Sequence, residues 1–323
     1  MKKHIKTAVL LLVISLPCSL FAQPWVQNDA IFNPGGVPSL PFSQPRLADL
    51  DNDGDLDMTI GNINDKPFYL ENIGTAENPQ FVAGTDYFAS INYVDAEVGV
   101  FADLDNDGDL DFITGGYTGL HFFENTGDAT SPQFEEAVGF FNILNNTNYP
   151  VPDLADVDDD GDLDLVIGLS ESGLVKLYEN TGTAAVAEFS EANVSELDDV
   201  GLYAYPCFAD LDNDGDVDLL VGRDGFGFRY YQNTGSPSSA EWTYIENAFE
   251  GIGFETYWNS PDLIDLDNNG TLDLIFGTAS GPLEYYVNIG TPEIAEWEQN
   301  TNLFGGVIDV GGASNPFFID YDN

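Results

Sequence analysis

Apolar residues along this chain come in short blocks separated by polar ones. No stretch repeats them at the interval of an amphipathic helix. Leu165-Val166-Ile167-Gly168 and Leu274-Ile275-Phe276-Gly277 read as buried strands closing on glycine. After each such block comes an aromatic strand ending in Asn-x-Gly: FYLENIG from Phe68, HFFENTG from His121, KLYENTG from Lys176, RYYQNTG from Arg229 and EYYVNIG from Glu284. These Asn-x-Gly pieces read as hairpin turns. A last aromatic, Phe81, Phe134, Phe189, Trp242 or Trp297, marks a fourth strand. An apolar piece opened by Pro45, Gly99, Pro152, Pro206 or Pro261 supplies the first.

The four-strand unit recurs with a fixed frame. The first aspartates after the opening strands, Asp49, Asp103, Asp156, Asp210 and Asp265, stand 53 to 55 residues apart. Four-stranded units repeated at this length predict an all-β fold, a β-propeller of four-stranded blades with a repeat of ~54 residues. A β-sandwich is the alternative, but it has no need of the same unit five times. There are five full repeats and the start of a sixth at Pro316, ending in Asp320-Tyr321-Asp322-Asn323. The expectation is an incomplete ring, an open arc, with Trp25 as a lone fourth strand 24 residues before Asp49.

Between the first and second strands lies the chemistry. The second repeat reads ADLDNDGDLDFITGG from Ala102, with Asp103, Asp105, Asp107, Asp109 and Asp111 at every second position. Carboxylates so close repel one another unless a cation lies among them. Equivalent sets are Asp49, Asp51, Asp53, Asp55 and Asp57; Asp156, Asp158, Asp160, Asp162 and Asp164; Asp210, Asp212, Asp214, Asp216 and Asp218; and Asp265, Asp267, Asn269, Thr271 and Asp273. In D-x-D-x-D-G-x-x-D, side chains one, three, five and nine and the carbonyl of residue seven can converge on one ion, because the glycine turns the chain sharply. All-oxygen, carboxylate-rich ligation suits Ca²⁺. A helical EF-hand loop needs Glu at position twelve, where this chain has Ile60, Thr114, Ile167, Val221 and Phe276. The loops are therefore expected to join two strands. The fifth loop carries fewer acids and should bind most weakly, and Asp159 is an extra acid expected to face solvent.

Composition narrows the context. The sequence has 323 residues and a formal net charge of −48. Residues 1–22, with Lys2, Lys3 and Lys6 before an apolar run, read as a signal peptide cleaved after Ala22, so residues 23–323 would be secreted or displayed at the cell surface. That segment is too short and too interrupted by Pro17 to span a bilayer, and no direct membrane insertion is expected. Beyond it stand only five basic residues, Arg46, Lys66, Lys176, Arg223 and Arg229, against 56 acids. Nucleic acid and anionic membranes are excluded as partners. Cys207 is the one cysteine past the signal, so no disulfide can staple the exported chain.

The columns P-x-Φ-A-D-Φ-D-x-D-G-D-Φ-D-ΦΦΦ-G and Φ-x-E-N-T-G, with Φ apolar, resemble the FG-GAP and VCBS-type repeats of integrin-α-like propellers, over everything after the signal. The literal Phe-Gly and Gly-Ala-Pro pieces are absent, since Gly61-Asn62, Gly115-Gly116 and Gly168-Leu169 stand where the second would be. The closer likeness is to exported bacterial VCBS-type proteins. It implies a calcium-bearing propeller, seven-bladed in the complete protein, used in cell adhesion, in glycan binding, or as an accessory domain of a larger secreted polysaccharide-degrading enzyme.

Catalysis finds little support in the residues. His121 is the single histidine past the signal and sits in a strand position held elsewhere by Lys176 and Arg229, so His-based triads and zinc sites are not expected. Carboxylate pairs could hydrolyse a polysaccharide, yet none stands apart from the calcium sets. The chain reads as a non-enzymatic binding module for a glycan or protein, with a purely structural spacer as the alternative. Seven residues before the aspartate markers stand Tyr149, Tyr203 and Trp258, suited to stacking on a sugar or anchoring a protein, or else to packing between blades. Arg223 is a rare base in a turn whose counterparts are Asn62, Gly116, Leu169 and Thr278.

Overall fold

The computed structural model describes residues 44–61, 66–75, 79–91, 98–141, 149–225, 227–236, 238–254, 258–279, 282–301 and 314–318. Residues 1–22, Trp25, Asp320 and Asp322 lie outside these ranges. Among the described residues, twenty strands form five antiparallel sheets, each of four strands consecutive in the chain. The first strands of the five blades are Pro45–Ala48, Val98–Ala102, Pro150–Ala155, Tyr205–Ala209 and Ser260–Ile264. Neighbouring first strands touch one another in chain order, which places them around a common axis with the later strands outward. The protein is a β-propeller.

Blade four shows why the apolar blocks run unbroken. Its strands are Tyr205–Ala209, Asp218–Gly222, Phe228–Asn233 and Trp242–Tyr244. Successive residues of a strand point to opposite faces, and both faces of an interior blade are covered. Leu219 and Val221 accordingly pack with Val166, Val175 and Leu177 of blade three, while Leu220 and Tyr230 pack with Leu274 and Phe276 of blade five. The core is therefore a series of layers between blades. The glycines that close the second strands serve the same packing: a Cβ on Gly222 would lie 1.9 Å from the Asn259 carbonyl of the next blade, and one on Gly168 would lie 2.2 Å from that of Ala204.

Carboxylates tie inner strands across the blade boundaries. Asp153 Oδ2 accepts a hydrogen bond from Phe208 N at 2.8 Å, and Asp262 Oδ2 accepts one from Phe318 N at 2.8 Å. The second contact bears on ring closure. Phe318 packs against Ile275 and Tyr285 of blade five, whereas Phe317 lies against Leu47, Met58, Leu70 and Phe81 of blade one and under the Arg46 guanidinium at 5.0 Å. Segment 314–318 thus bridges blade five to blade one where the sequence predicted a gap, because its two phenylalanines bury themselves on opposite neighbours. Five complete blades are seen among the described residues, one for each full repeat of the sequence.

Two local expectations change. The Asn-x-Gly pieces are not tight hairpins: eight residues separate Asn125 from Phe134, where the fourth strand of blade two begins. In blade three the fourth strand is Val194–Glu196 rather than a strand at Phe189, and a 3-10 turn, Glu191–Asn193, precedes it. Phe189 instead packs beside Phe140 and Phe141, and Glu191 accepts a hydrogen bond from the Tyr178 hydroxyl at 2.8 Å.

Candidate functional site

Each acidic loop joins the first and second strands of its blade, and its form follows from backbone donors. In blade two, Asp103 Oδ1 accepts from Asp107 N at 3.1 Å and Oδ2 accepts from Gly108 N at 3.1 Å. Asp109 N donates to Asp107 Oδ1 at 3.2 Å. The fourth residue of every loop is left-handed, with φ of 54 to 59° at Asn52, Asn106, Asp159, Asn213 and Asn268. Asparagine and aspartate tolerate that region better than other side chains, so its recurrence explains the column. The sixth residue is a glycine at φ of 91 to 102°. Asp159 is exposed, as expected.

The loops bring carboxylates together. Oxygens of Asp49, Asp51 and Asp53 lie within 4.8 Å of one another, as do those of Asp103, Asp105 and Asp107, of Asp156, Asp158 and Asp164, and of Asp210, Asp212 and Asp218. Asp265, Asp267 and Asp273 of the fifth loop do not form such a group among the described residues. There Asn269 Oδ1 accepts from Thr271 N at 2.8 Å, and the Thr271 hydroxyl donates to the Asn288 carbonyl at 2.9 Å. Buried oxygens elsewhere lack any donor: Asp51 Oδ1, Asp55 Oδ1, Asp109 Oδ1, Asp162 Oδ1 and Asp210 Oδ1. An unpartnered buried carboxylate oxygen is costly, and a cation satisfies several at once. The donor set is all oxygen and fits a hard divalent ion. Desolvation, reinforced by neighbouring aspartates, pushes Asp55, Asp109 and Asp162 up to about 6.

The ninth aspartate has a second task that the sequence reading missed. Asp57, Asp111, Asp164, Asp218 and Asp273 are at most 2% exposed, so the residue is buried in every blade. In blade four, Asp218 Oδ2 accepts from Leu211 N at 3.0 Å and the Tyr230 hydroxyl at 2.7 Å, and Oδ1 accepts from Asn233 N at 2.9 Å. Asn233 in turn accepts at Oδ1 from Gly235 N at 3.2 Å and Glu241 N at 3.0 Å. The same pattern holds Asp111 to Asn125, Asp164 to Asn180 and Asp273 to Asn288. The recurring Asn of Asn-x-Gly was the visible signal for this staple. Desolvation, partly offset by these hydrogen bonds, raises Asp57, Asp111, Asp164 and Asp218 to about 7 and Asp273 to about 6.

The opposite end of the strands carries the aromatic turns. Tyr149, Tyr203 and Trp258 have φ of 49, 58 and 53°, values that bulky residues adopt rarely and that mark stored strain. The Tyr203 and Trp258 rings meet edge to face at 5.2 Å, and Tyr149 lies 5.9 Å from Tyr117. Packing with neighbours is thus part of their role, and Tyr149 remains 36% exposed. Ser170 links two of these turns, its hydroxyl donating to the Tyr149 carbonyl and its carbonyl accepting from Tyr203 N, both at 2.8 Å. Arg223 joins the same belt: its carbonyl accepts from Asn259 Nδ2 at 2.9 Å, and its Nη1 donates to the Val200 carbonyl at 3.0 Å. His121 lies in a strand, its ring between Thr118 and Glu136, and Cys207 lies 3.9 Å from Asp262 Oδ1.

Comparison with known proteins agrees with the repeat. Residues 103–167 and 156–221 match the FG-GAP-like repeat family. Residues 103–221 are FG-GAP-like repeats within a five-bladed β-propeller. Each match runs from one acidic loop into the second strand of the following blade, and the same loop and staple recur in blades one and five, outside the matches. No curated protein matches the chain. Among solved structures, an Agrocybe aegerita lectin described as specifically recognising non-reducing terminal N-acetylglucosamine superposes with a TM-score of 0.54 and 18% identity, over 87% of this chain and 72% of that one. The complex of BBS1N with ARL6DN superposes with a TM-score of 0.40 and 10% identity, over 88% of this chain and 94% of that one. At such identities the lectin shares the fold. Among the described residues, no helix is long and apolar enough to cross a membrane.

Proposed function

We propose that this β-propeller is an exported binding module, non-enzymatic, whose blades are stapled by Ca²⁺ and whose opposite face holds a glycan or protein partner. The observation that carries the metal reading is the recurrence of three converging carboxylates in four loops, with buried oxygens that have no donor. Asp49, Asp51 and Asp53 would hold the ion in blade one; Asp103, Asp105 and Asp107 in blade two; Asp156, Asp158 and Asp164 in blade three; and Asp210, Asp212 and Asp218 in blade four. A bound Ca²⁺ supplies positive charge that cancels repulsion among these groups and fixes each loop between its strands. The fifth loop would bind most weakly, since Asn269 and Thr271 already use their polar atoms on each other and on Asn288.

The binding face follows from the placement of strained aromatics at the ends away from these loops. Tyr149, Tyr203, Trp258 and Arg223 are held by one hydrogen-bonded belt over blades two to five. A belt fixed in this way presents aromatic surface without the entropic loss of ordering it on binding. A lectin among the fold neighbours is consistent with a glycan. The reading is tested by glycan-array and pull-down screens of the calcium-loaded protein. A ligand that the Tyr149→Ala, Tyr203→Ala, Trp258→Ala triple variant no longer binds, while keeping its melting temperature, supports it. Equal binding by that folded variant places the partner elsewhere.

A further inference from the structure

Blade four gathers two of the five basic residues past the signal on the face it turns to blade three. Arg229 and Tyr231 lie two residues apart on the third strand, Phe228–Asn233, and so share a face. That face is fixed by Tyr231, which packs with Val166, Val175 and Leu177 of blade three. Tyr231 is paired across the sheet with Tyr244, their rings 5.8 Å apart, and the Arg229 guanidinium stacks on Tyr244 at 4.4 Å. Arg223 reaches the same place from the preceding turn, anchored on the Val200 carbonyl. After burial, Arg229 is the next cause depressing the Arg223 guanidinium, and Arg229, Tyr244 and Arg223 all act on the Tyr231 hydroxyl. The four side chains form one cluster.

Three features of the cluster ask for a ligand. Tyr231 is 3% exposed, yet its hydroxyl has no hydrogen-bond partner. Arg229 Nε is buried and also lacks one. In a chain with 56 acids, neither Asp198, the acid closest in effect on Tyr231, nor Asp224 forms an ion pair with Arg229 among the described residues. Two guanidiniums side by side repel each other, and a buried donor left empty costs free energy. Both deficits are removed by one oxyanion. Tyr244, 38% exposed, opens the cluster to solvent.

Building on the binding-module reading, we propose that Arg229, Arg223, Tyr231 and Tyr244 form a subsite for the carboxylate of an acidic sugar, a uronic acid residue, on the side of blade four that faces blade three. A planar carboxylate matches the fork of a guanidinium and can take the phenolic proton on its second oxygen. The protein's net charge disfavours polyanions at a distance, which selects a ligand with one charge on an otherwise neutral ring. The exposed edge of Tyr244 supplies apolar surface for that ring.

The test is titration calorimetry of the calcium-loaded protein with glucuronate, with glucose as the neutral counterpart and sulfate as a second anion, at fixed free calcium. Saturable binding of glucuronate and none of glucose is expected. Arg229→Gln should weaken glucuronate by about tenfold or more, one lost charge-assisted pair. Arg229→Lys should recover only part of that affinity, and Tyr231→Phe should weaken it less. Equal affinity for glucose and glucuronate, unchanged affinity in a folded Arg229→Gln variant, or no saturable glucuronate binding overturns the proposal. Sulfate binding tighter than glucuronate replaces the carboxylate with another anion and likewise overturns it. Capture of a neutral glycan that is lost in the Tyr149, Tyr203, Trp258 triple variant but kept in Arg229→Gln leaves the binding-module reading standing while this subsite fails.

Discussion

Asp218 and Asp212 belong to the same group of carboxylates, but only Asp218 also staples the fold, and substituting each with alanine separates stapling from metal binding. Asp218 is 1% exposed and takes three hydrogen bonds, from Leu211 N, the Tyr230 hydroxyl and Asn233 N. Removing it strands three buried donors at about 1 to 3 kcal/mol each. Relief of the carboxylate's own desolvation offsets part of that sum, so Asp218→Ala should cost roughly 3 to 5 kcal/mol without any metal. Asp212 is half-buried and accepts from Asp214 N at 3.3 Å and from Gln232 Nε2. Its loss in EGTA should cost about 0.5 kcal/mol. In about 1 mM calcium, with a dissociation constant of roughly 10⁻⁴ M, losing the site removes a further ~1.4 kcal/mol. The assay is a set of thermal melts by circular dichroism, each variant in calcium and in EGTA. Asp218→Ala should melt well below wild type in both buffers and Asp212→Ala mainly in calcium. If the two variants melt alike in EGTA, the ninth aspartate is no staple and its hydrogen bonds contribute little.

Other consequences follow from the same geometry. Burial raises Asp57, Asp111, Asp164 and Asp218 to about 7, so the metal-free fold holds more protons than the unfolded chain between about pH 4 and 7, and its stability should fall as pH rises through that range. Saturating calcium should flatten or reverse that slope in melts at pH 5 and pH 8, and an identical slope with and without calcium contradicts the assignment. Gly222→Ala places a Cβ 1.9 Å from the Asn259 carbonyl and should destabilise by about 1 to 3 kcal/mol in denaturant titrations, whereas Gly253→Ala, whose nearest atom would be Tyr286 Oη at 3.6 Å, should change stability little. Magnesium should restore the melting temperature of chelated protein poorly, because it dehydrates reluctantly and requires a tighter octahedron.

Much of the blade could be read from the chain because its signals are local. The opening strand, the acidic loop, the glycine-closed strand and the aromatic strand each occupy fixed offsets, and an unbroken apolar block such as Leu219-Leu220-Val221 states that both faces are covered. What escaped depends on partners distant in sequence. Asp218 was visible as a candidate ligand but not as the acceptor for Asn233, 15 residues on. The turn at Asn233 resembles a hairpin turn until its side chain is seen capping Gly235 and Glu241. Phe317 and Phe318 are two adjacent apolar residues, and only packing on blades one and five gives them a bridging role. Arg229 is likewise an ordinary strand position on paper, and its closeness to Arg223, Tyr231 and Tyr244 arises from cross-strand register.

The central claim is that the aspartate loops hold calcium, and direct counting of bound ions tests it most plainly. Protein freed of metal with EGTA, dialysed against 1 mM calcium and analysed by atomic emission should carry at least four ions per chain, one for each group of converging carboxylates. Asp105→Ala and Asp212→Ala together should lower that number by two. Fewer than one ion per chain in protein whose circular dichroism shows it folded would contradict the account.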